Sequence, residues 1–239
     1  MISSKVIKVL SPLFDIITNA RGKTIREIKS ELNILNTRMV KGASALIVEN
    51  LLGIENNNRA EADISEIGCE VKVLPLQKNR DGSFIAKEPT AIQMINYFEV
   101  AGETWETAKL RKKITLTFWI VYLAKENSRA LPQDDYVIVD YFLDHPSPSD
   151  NAIFRKDWEL IQNYIIEGRA DSLSCSMGEY IEPKTKGANN QDLTDAPDGK
   201  GGTTRVRRRA FYYNKNYTNN NIVAEIDTSF IEDELFENK

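Results

Sequence analysis

Apolar positions early in the chain fall at helical spacing and then switch to a spacing of two. Residues 3 to 32 read as two helices, with Pro12 early in the first and Ile25, Ile28 and Leu32 behind Thr24 as N-cap of the second. Residues 40 to 52 predict a third helix, stopped by Gly53. Its stripe of Ala45, Val48 and Leu52 also holds Glu49, a place where a carboxylate needs compensation. Cys69 to Leu74 then alternates as a strand, with Glu70 and Lys72 on one face and Cys69, Val71 and Val73 on the other. Lys78 to Glu88 predicts a hairpin-like excursion around the turn Arg80-Asp81-Gly82-Ser83, and Ala91 to Val100 has a strand-like centre.

Further on, Ile114, Leu116, Phe118, Ile120 and Tyr122 alternate, which predicts a strand over Leu110 to Leu123 that begins with the charged Arg111-Lys112-Lys113. Val137 to Leu143 is another strand, ended by His145-Pro146-Ser147-Pro148. A helix runs from Asp157 through Ile166, with Trp158, Ile161 and Ile165 as its core stripe and Gly168 as its stop. Gly178 to Asn190 combines a short strand with a polar loop, and Asp198 to Gly202 is a glycine-rich loop without the Lys-Ser/Thr of a P-loop. Arg205 to Tyr213 interleaves arginines with aromatics, a pattern suited to a phosphate-binding strand edge with Phe211 in the core.

With 239 residues, 41% of them hydrophobic, the chain can bury the core of one large domain or two small ones. The net charge of −4 argues against an evenly basic surface, yet the signs are segregated. Arg205, Arg207, Arg208 and Arg209 cluster, whereas the end of the chain is acidic. Cys69 and Cys175 supply neither a disulfide framework nor metal-ligand spacing, which fits free thiols in a reducing cytoplasm. Lys5, Lys8, Pro12 and Asp15 interrupt the apolar N-terminus as a signal peptide would not be interrupted, and no stretch reaches the roughly 20 apolar residues of a membrane span. His145, beside prolines, reads as a loop residue.

The candidate chemistry lies between Glu49 and Lys72, where Glu49, Asp63 and Glu70 converge with one lysine. Hydrolysis of a phosphodiester needs these types together. Hard oxygen ligands hold Mg2+, which stabilises charge on the phosphate and lowers the pKa of a bound water, and an ammonium can orient that water. The spacing of Asp63 and Glu70-Val71-Lys72 is the D…ExK pattern of the PD-(D/E)XK nucleases. Taken alone it also suits a cross-strand charge pair on an edge strand, and Glu49 alone also suits a salt bridge at a helix end.

The wider run of motifs resembles the MutH family, which includes the mismatch-repair nicking endonuclease and the Sau-type GATC restriction endonucleases. The resemblance rests on Lys41-Gly42, Glu49-Asn50-Leu51-Leu52-Gly53, Ala62-Asp63 and Ile67 through Pro75. Thr104-Trp105-Glu106-Thr107, Arg111-Lys112-Lys113, Gly178-Glu179-Tyr180, Lys184 through Asn189 and Arg209-Ala210-Phe211-Tyr212 continue it in family order. It implies an α/β, restriction-endonuclease-like (PD-(D/E)XK) core with a mixed central β-sheet flanked by helices. That endonuclease domain is expected over residues 1–222. Residues 223–239 are expected to be an acidic tail, or the start of a linker to a second DNA-binding domain.

For function, the resemblance implies a type II restriction endonuclease that cuts double-stranded DNA at or near GATC with Mg2+. The alternatives are a repair nickase and a DNA-binding domain with a degenerate site. Asp63 and Glu70 would hold the metal beside the Val71 carbonyl, Lys72 would position the attacking water, Glu49 would serve as a further acid, and Lys113 would neutralise phosphate charge. Lys41 and Gly42 would contact the backbone, one of Lys184 and Lys186 would read a base, and Arg208 and Tyr212 would meet DNA. A single centre cuts one strand per encounter, so two copies are expected to meet on DNA.

Overall fold

The segment Thr117–Leu123 is buried at every position, which in a sheet marks an inner strand covered on both faces. The computed structural model describes residues 2–34, 43–54, 61–124, 133–189 and 191–227. Lys41, Gly42 and residues 228–239 of the acidic tail lie outside the described residues.

In chain order, the helices α1 (Ser4–Ala20) and α2 (Ile25–Glu31) begin at Ser3 and at a Thr24–Glu27 capping box, followed by α3 (Ala43–Leu51). Then come β1 (Glu70–Lys78), β2 (Phe84–Ala86), β3 (Thr90–Met94), α4 (Tyr97–Gly102), α5 (Lys109–Ile114), β4 (Thr117–Leu123) and β5 (Val137–Asp144). The remainder is α6 (Pro148–Ile166), β6 (Ile181–Thr185), β7 (Leu193–Pro197), β8 (Thr203–Arg207), β9 (Arg209–Tyr213) and α7 (Lys215–Asn221). These elements form two compact units. One comprises the chain up to Glu88, Leu116–His145 and the chain from Asn219; the other comprises Pro89–Thr115 and Pro146–Thr218.

The first unit is a mixed sheet in the order β2-β1-β4-β5, with β1 and β4 parallel and the other pairs antiparallel. Ile17, Ile25, Ile28, Ile47 and Val48 of the three helices pack on Phe118, Ile120 and Tyr122 of β4, with Cys69, Val71 and Val73 on the same side. Phe14 stacks on Tyr141 with ring centroids 4.9 Å apart. The face of β1 that carries Glu70 and Lys72 is therefore the opposite one, as its alternation requires. The expected mixed sheet with flanking helices is present.

The second unit holds a sheet in the order β3-β9-β6 and the hairpin β7-β8. Helix α6 seals it: Phe154 meets the rings of Tyr180, Tyr213 and Tyr217 at 4.7–6.1 Å. One buried carboxylate on α6 fixes how the chain turns into β6. Asp157 Oδ2 accepts the backbone N–H groups of Glu179, Tyr180 and Ile181 at 2.9, 2.6 and 3.0 Å. Gly178, at φ +82°, precedes them, and a Cβ there would collide with the Ile181 carbonyl.

Several sequence expectations shift. The predicted strand over Leu110–Leu123 begins only at Thr117, because Leu110 and Ile114 are one helical turn apart and are both buried as the inner stripe of α5. Arg111, Lys112 and Lys113 are thus helical. The strand-like centre of Ala91–Val100 is confined to β3, and Asn96 caps α4 after it. Helix α6 starts well before Asp157, at Pro148, behind a Ser147–Asp150 capping box. Among the described residues no helix is long and apolar enough to cross a membrane.

Replacing Asp157 by Asn should destabilise the fold by about 2–3 kcal/mol, because charge-assisted acceptors for three amides become weaker or vanish. Urea unfolding checks this, and an unchanged midpoint would show that the carboxylate does not organise the turn.

Candidate active site

Strand β2 pairs with Leu76–Lys78, so among the described residues the first half of β1 has one bare edge. The Glu70 N–H donates to the Leu116 carbonyl at 3.0 Å, toward β4. The amide of Val71 therefore points to the bare edge, and its carbonyl points the same way. Asp63 occupies that edge: its Oδ2 accepts the Val71 N–H at 2.8 Å. A tight turn delivers it there, closed by Ile64 N–H to the Cys69 carbonyl at 2.9 Å and Cys69 N–H to the Ile64 carbonyl at 3.2 Å. Gly68 takes φ +64° within this turn, a conformation that a Cβ disfavours. The Asp63-to-Glu70 spacing is the length of that turn.

Glu70 is only 2% exposed, and its charge is compensated by Lys72, whose Nζ lies 3.1 Å from Oε2. Register places Thr117 beside Glu70, Trp119 beside Lys72, and Asp144 beyond Thr117. Glu70, Thr117 and Asp144 make a buried polar row across three strands, and the Trp119 indole donates to Asp144 at 3.4 Å. No spacing pattern distinguishes Thr117 or Asp144 in the sequence; the row exists only once the strands are in register.

Glu49 reaches the same place from the end of α3. Its carbonyl accepts the Ile54 N–H at 2.9 Å while the Asn50 carbonyl accepts the Gly53 N–H at 3.1 Å, with Gly53 at φ +67°. That is a Schellman ending, and it is the local reason for the Glu49-Asn50-Leu51-Leu52-Gly53 run. Burial and then the charge of Asp63 push the Glu49 carboxyl above the ordinary carboxylate range, while Lys72 pulls it back. Glu49, Asp63, Glu70 and Lys72 are thus brought into one electrostatic neighbourhood. Lys113 lies on α5, in the second unit.

Could this neighbourhood hold a divalent cation? Among the described residues, no three or more His, Cys, Asp or Glu side chains form a ready-made cage. Asp63 accepts the amide of Val71, the residue that follows Glu70 on the strand, and mutual repulsion marks the approach of Glu49 to Asp63. Hard oxygen donors in that number fit a cation that keeps most of its water.

On the second unit, Lys184 of β6 and Lys186 just beyond it each set Nζ 5.7 Å from the ring centroid of Tyr212. Arg208 is ion-paired, its Nε 2.7 Å from Asp192 Oδ1, and Asp192 also accepts the Ala188 N–H at 3.0 Å. Arg207 pairs with Asp171 and Arg205 with Asp195, both at 3.0 Å. The arginine cluster is therefore largely neutralised by its own aspartates.

Comparison with known proteins decides the family. The family model for the DNA mismatch repair enzyme MutH matches residues 52–157. The DNA mismatch repair protein MutH of Actinobacillus pleuropneumoniae serotype 5b is 30% identical over 217 residues, covering 90% of this chain and 91% of that protein. The chain belongs to the MutH family. The MutH protein of Haemophilus influenzae is 27% identical over 214 residues, 88% of this chain and 91% of its own. The type II restriction enzyme Sau3AI of Staphylococcus aureus is 32% identical over 203 residues, which is 83% of this chain but 39% of that longer enzyme. The mixed sheet and its helices are the restriction-endonuclease-like fold of the MutH family.

A carboxyl whose pKa is raised by folding binds more protons in the fold than in the unfolded chain. It therefore lowers stability as pH climbs from its unfolded pKa through its folded one. Glu49→Gln should accordingly melt higher than the parent at neutral pH and lose that advantage below about pH 4. Melting curves across pH check this; a constant offset would contradict the raised proton affinity of Glu49.

Proposed function

We propose that this MutH-family endonuclease is a sequence-specific type II restriction enzyme that hydrolyses double-stranded DNA at or near GATC with Mg2+. The observation that carries the reading is the convergence of Glu49, Asp63, Glu70 and Lys72 at the bare edge of β1. Asp63 and Glu70, with the Val71 carbonyl, would hold Mg2+, which when bound stabilises phosphate charge and acidifies water. Lys72, next to Glu70, positions the attacking water and balances the negative charge of the carboxylates. Glu49, in the electrostatic neighbourhood of Asp63 and Lys72, serves as a further acid of the site. Lys113 is assigned to phosphate neutralisation. These intact groups argue against a degenerate, purely DNA-binding role.

On the second unit, one of Lys184 and Lys186 reads a base, and Arg208 and Tyr212 contact the duplex. Lys41 and Gly42 are assigned to its backbone. Two copies meeting on DNA would cut both strands. Coverage of 91% of two MutH repair proteins supports a second reading, in which the chain nicks one strand. Plasmids bearing known GATC sites separate the two by yielding linear or nicked product in Mg2+.

Asp63→Asn and Lys72→Ala should each slow cleavage by about 100-fold or more while duplex binding persists. Near-normal cleavage by either variant at saturating Mg2+ refutes the active-site assignment. In the recognition loop, alanine at the base-reading lysine should relax discrimination by about 1–3 kcal/mol at one position. Alanine at a phosphate-binding side chain should weaken all sequences and lower the salt slope by about 1. Unaltered discrimination in both lysine variants would remove the loop from recognition.

A further inference from the structure

Three positions of alternation on and just beyond β6 present Glu182, Lys184 and Lys186 in succession. Glu182 stands directly across the β6–β9 pair from Tyr212, whose ring also lies under both lysine ammoniums. It is 6% exposed, its Oε1 is 3.7 Å from Lys184 Nζ, and its Oε2 accepts the Asn214 side-chain N–H at 3.2 Å. Lys184, by contrast, is 42% exposed at its side chain. Burial pushes the Glu182 carboxyl up and Lys184 pulls it back down, so the lysine stands as the counter-charge beside a sheltered carboxyl group.

A lysine in that position is not free to act as a general phosphate contact. Moving its ammonium onto a passing phosphate would strip a poorly hydrated carboxylate of its cationic partner and leave it the Asn214 amide alone among the contacts described. Held between Glu182 and the Tyr212 ring, it still has N–H donors to offer a base acceptor presented in the right place. We infer that Glu182 is a specificity-determining residue, which withholds Lys184 from the DNA backbone and orients it toward a base edge. This rests on the proposed recognition of duplex DNA by the Lys184 region. It differs from the assignments above in giving discrimination to an acid that touches no nucleotide.

The test uses the full chain in Mg2+-free buffer, with a duplex selected by the wild-type protein from a randomised pool and a scrambled duplex of the same length. Glu182→Gln should tighten scrambled-duplex binding several-fold and steepen its salt dependence by about one released ion. Affinity for the selected duplex should change much less, so the ratio of the two falls by about tenfold. In a Lys184→Ala background, Glu182→Gln should change nothing. Lys184→Ala alone, an exposed replacement, should leave scrambled-duplex binding as it was while weakening the selected duplex.

Equal tightening of both duplexes by Glu182→Gln would reduce Glu182 to a general negative charge and overturn the inference alone. So would a Lys184→Ala variant that weakens the scrambled duplex as much as the selected one. A wild-type chain that selects no sequence would overturn the recognition reading itself, and this inference with it.

Discussion

A glutamate sealed inside a sheet must have its charge answered, and in this protein the answer is two residues away on the same strand. The Glu70–Lys72 pair exists because β1 alternates without a bulge at that point, because β4 runs parallel beside it, and because β2 stops short. Lose the alternation and the two charges face opposite sides of the sheet. Extend β2 and the amide that receives Asp63 is consumed by a ladder bond. The three helices of the first unit pack on the far face, whose apolar side chains leave the charged pair to the other.

The two groups of charges obey opposite rules. Around β1, like charges are crowded: Asp63 raises the proton affinity of Glu49, and Lys72 acts on both Glu49 and Glu70. Around β6 and β9, unlike charges are matched one to one, Lys184 with Glu182 and Arg208 with Asp192. Crowding creates demand for a cation and for proton exchange, whereas matching keeps an abundance of arginine from becoming indiscriminate attraction. A modestly acidic chain can therefore still face a polyanion.

Wherever one element imposes one period, the sequence was legible. The Thr24 cap, the Gly53 stop, the alternation of Glu70 and Lys72 and the buried Phe211 were all local, and all stand. Reading failed where two periods shared a parity. Leu110 and Ile114, four apart on a helix, continue the even-numbered alternation of Leu116, Phe118 and Ile120, so helix and strand ran together on paper. The start of α6 is hidden in the sequence because its first turns carry little apolar stripe, although Pro148 behind Ser147 marks it. Asp157, Thr117 and Asp144 were invisible for a different reason: their partners are fixed by tertiary register, and no spacing along the chain encodes that.

The parallel pairing of β1 with β4 also sets an order of events. Parallel strands cannot be joined by a tight turn, and here the connection passes through β3, α4 and α5, which belong to the other unit. Closing so long a loop is entropically slow and depends on contacts far apart in the chain. During synthesis, β1 leaves the ribosome well before β4, with Glu70 and Lys72 still hydrated and the polar row unmade. The row of Glu70, Thr117 and Asp144 consequently stays unmade until β5 has followed β4, and a truncated translation product ending before Thr117 carries Glu49, Asp63 and Glu70 without the strand that shelters Glu70.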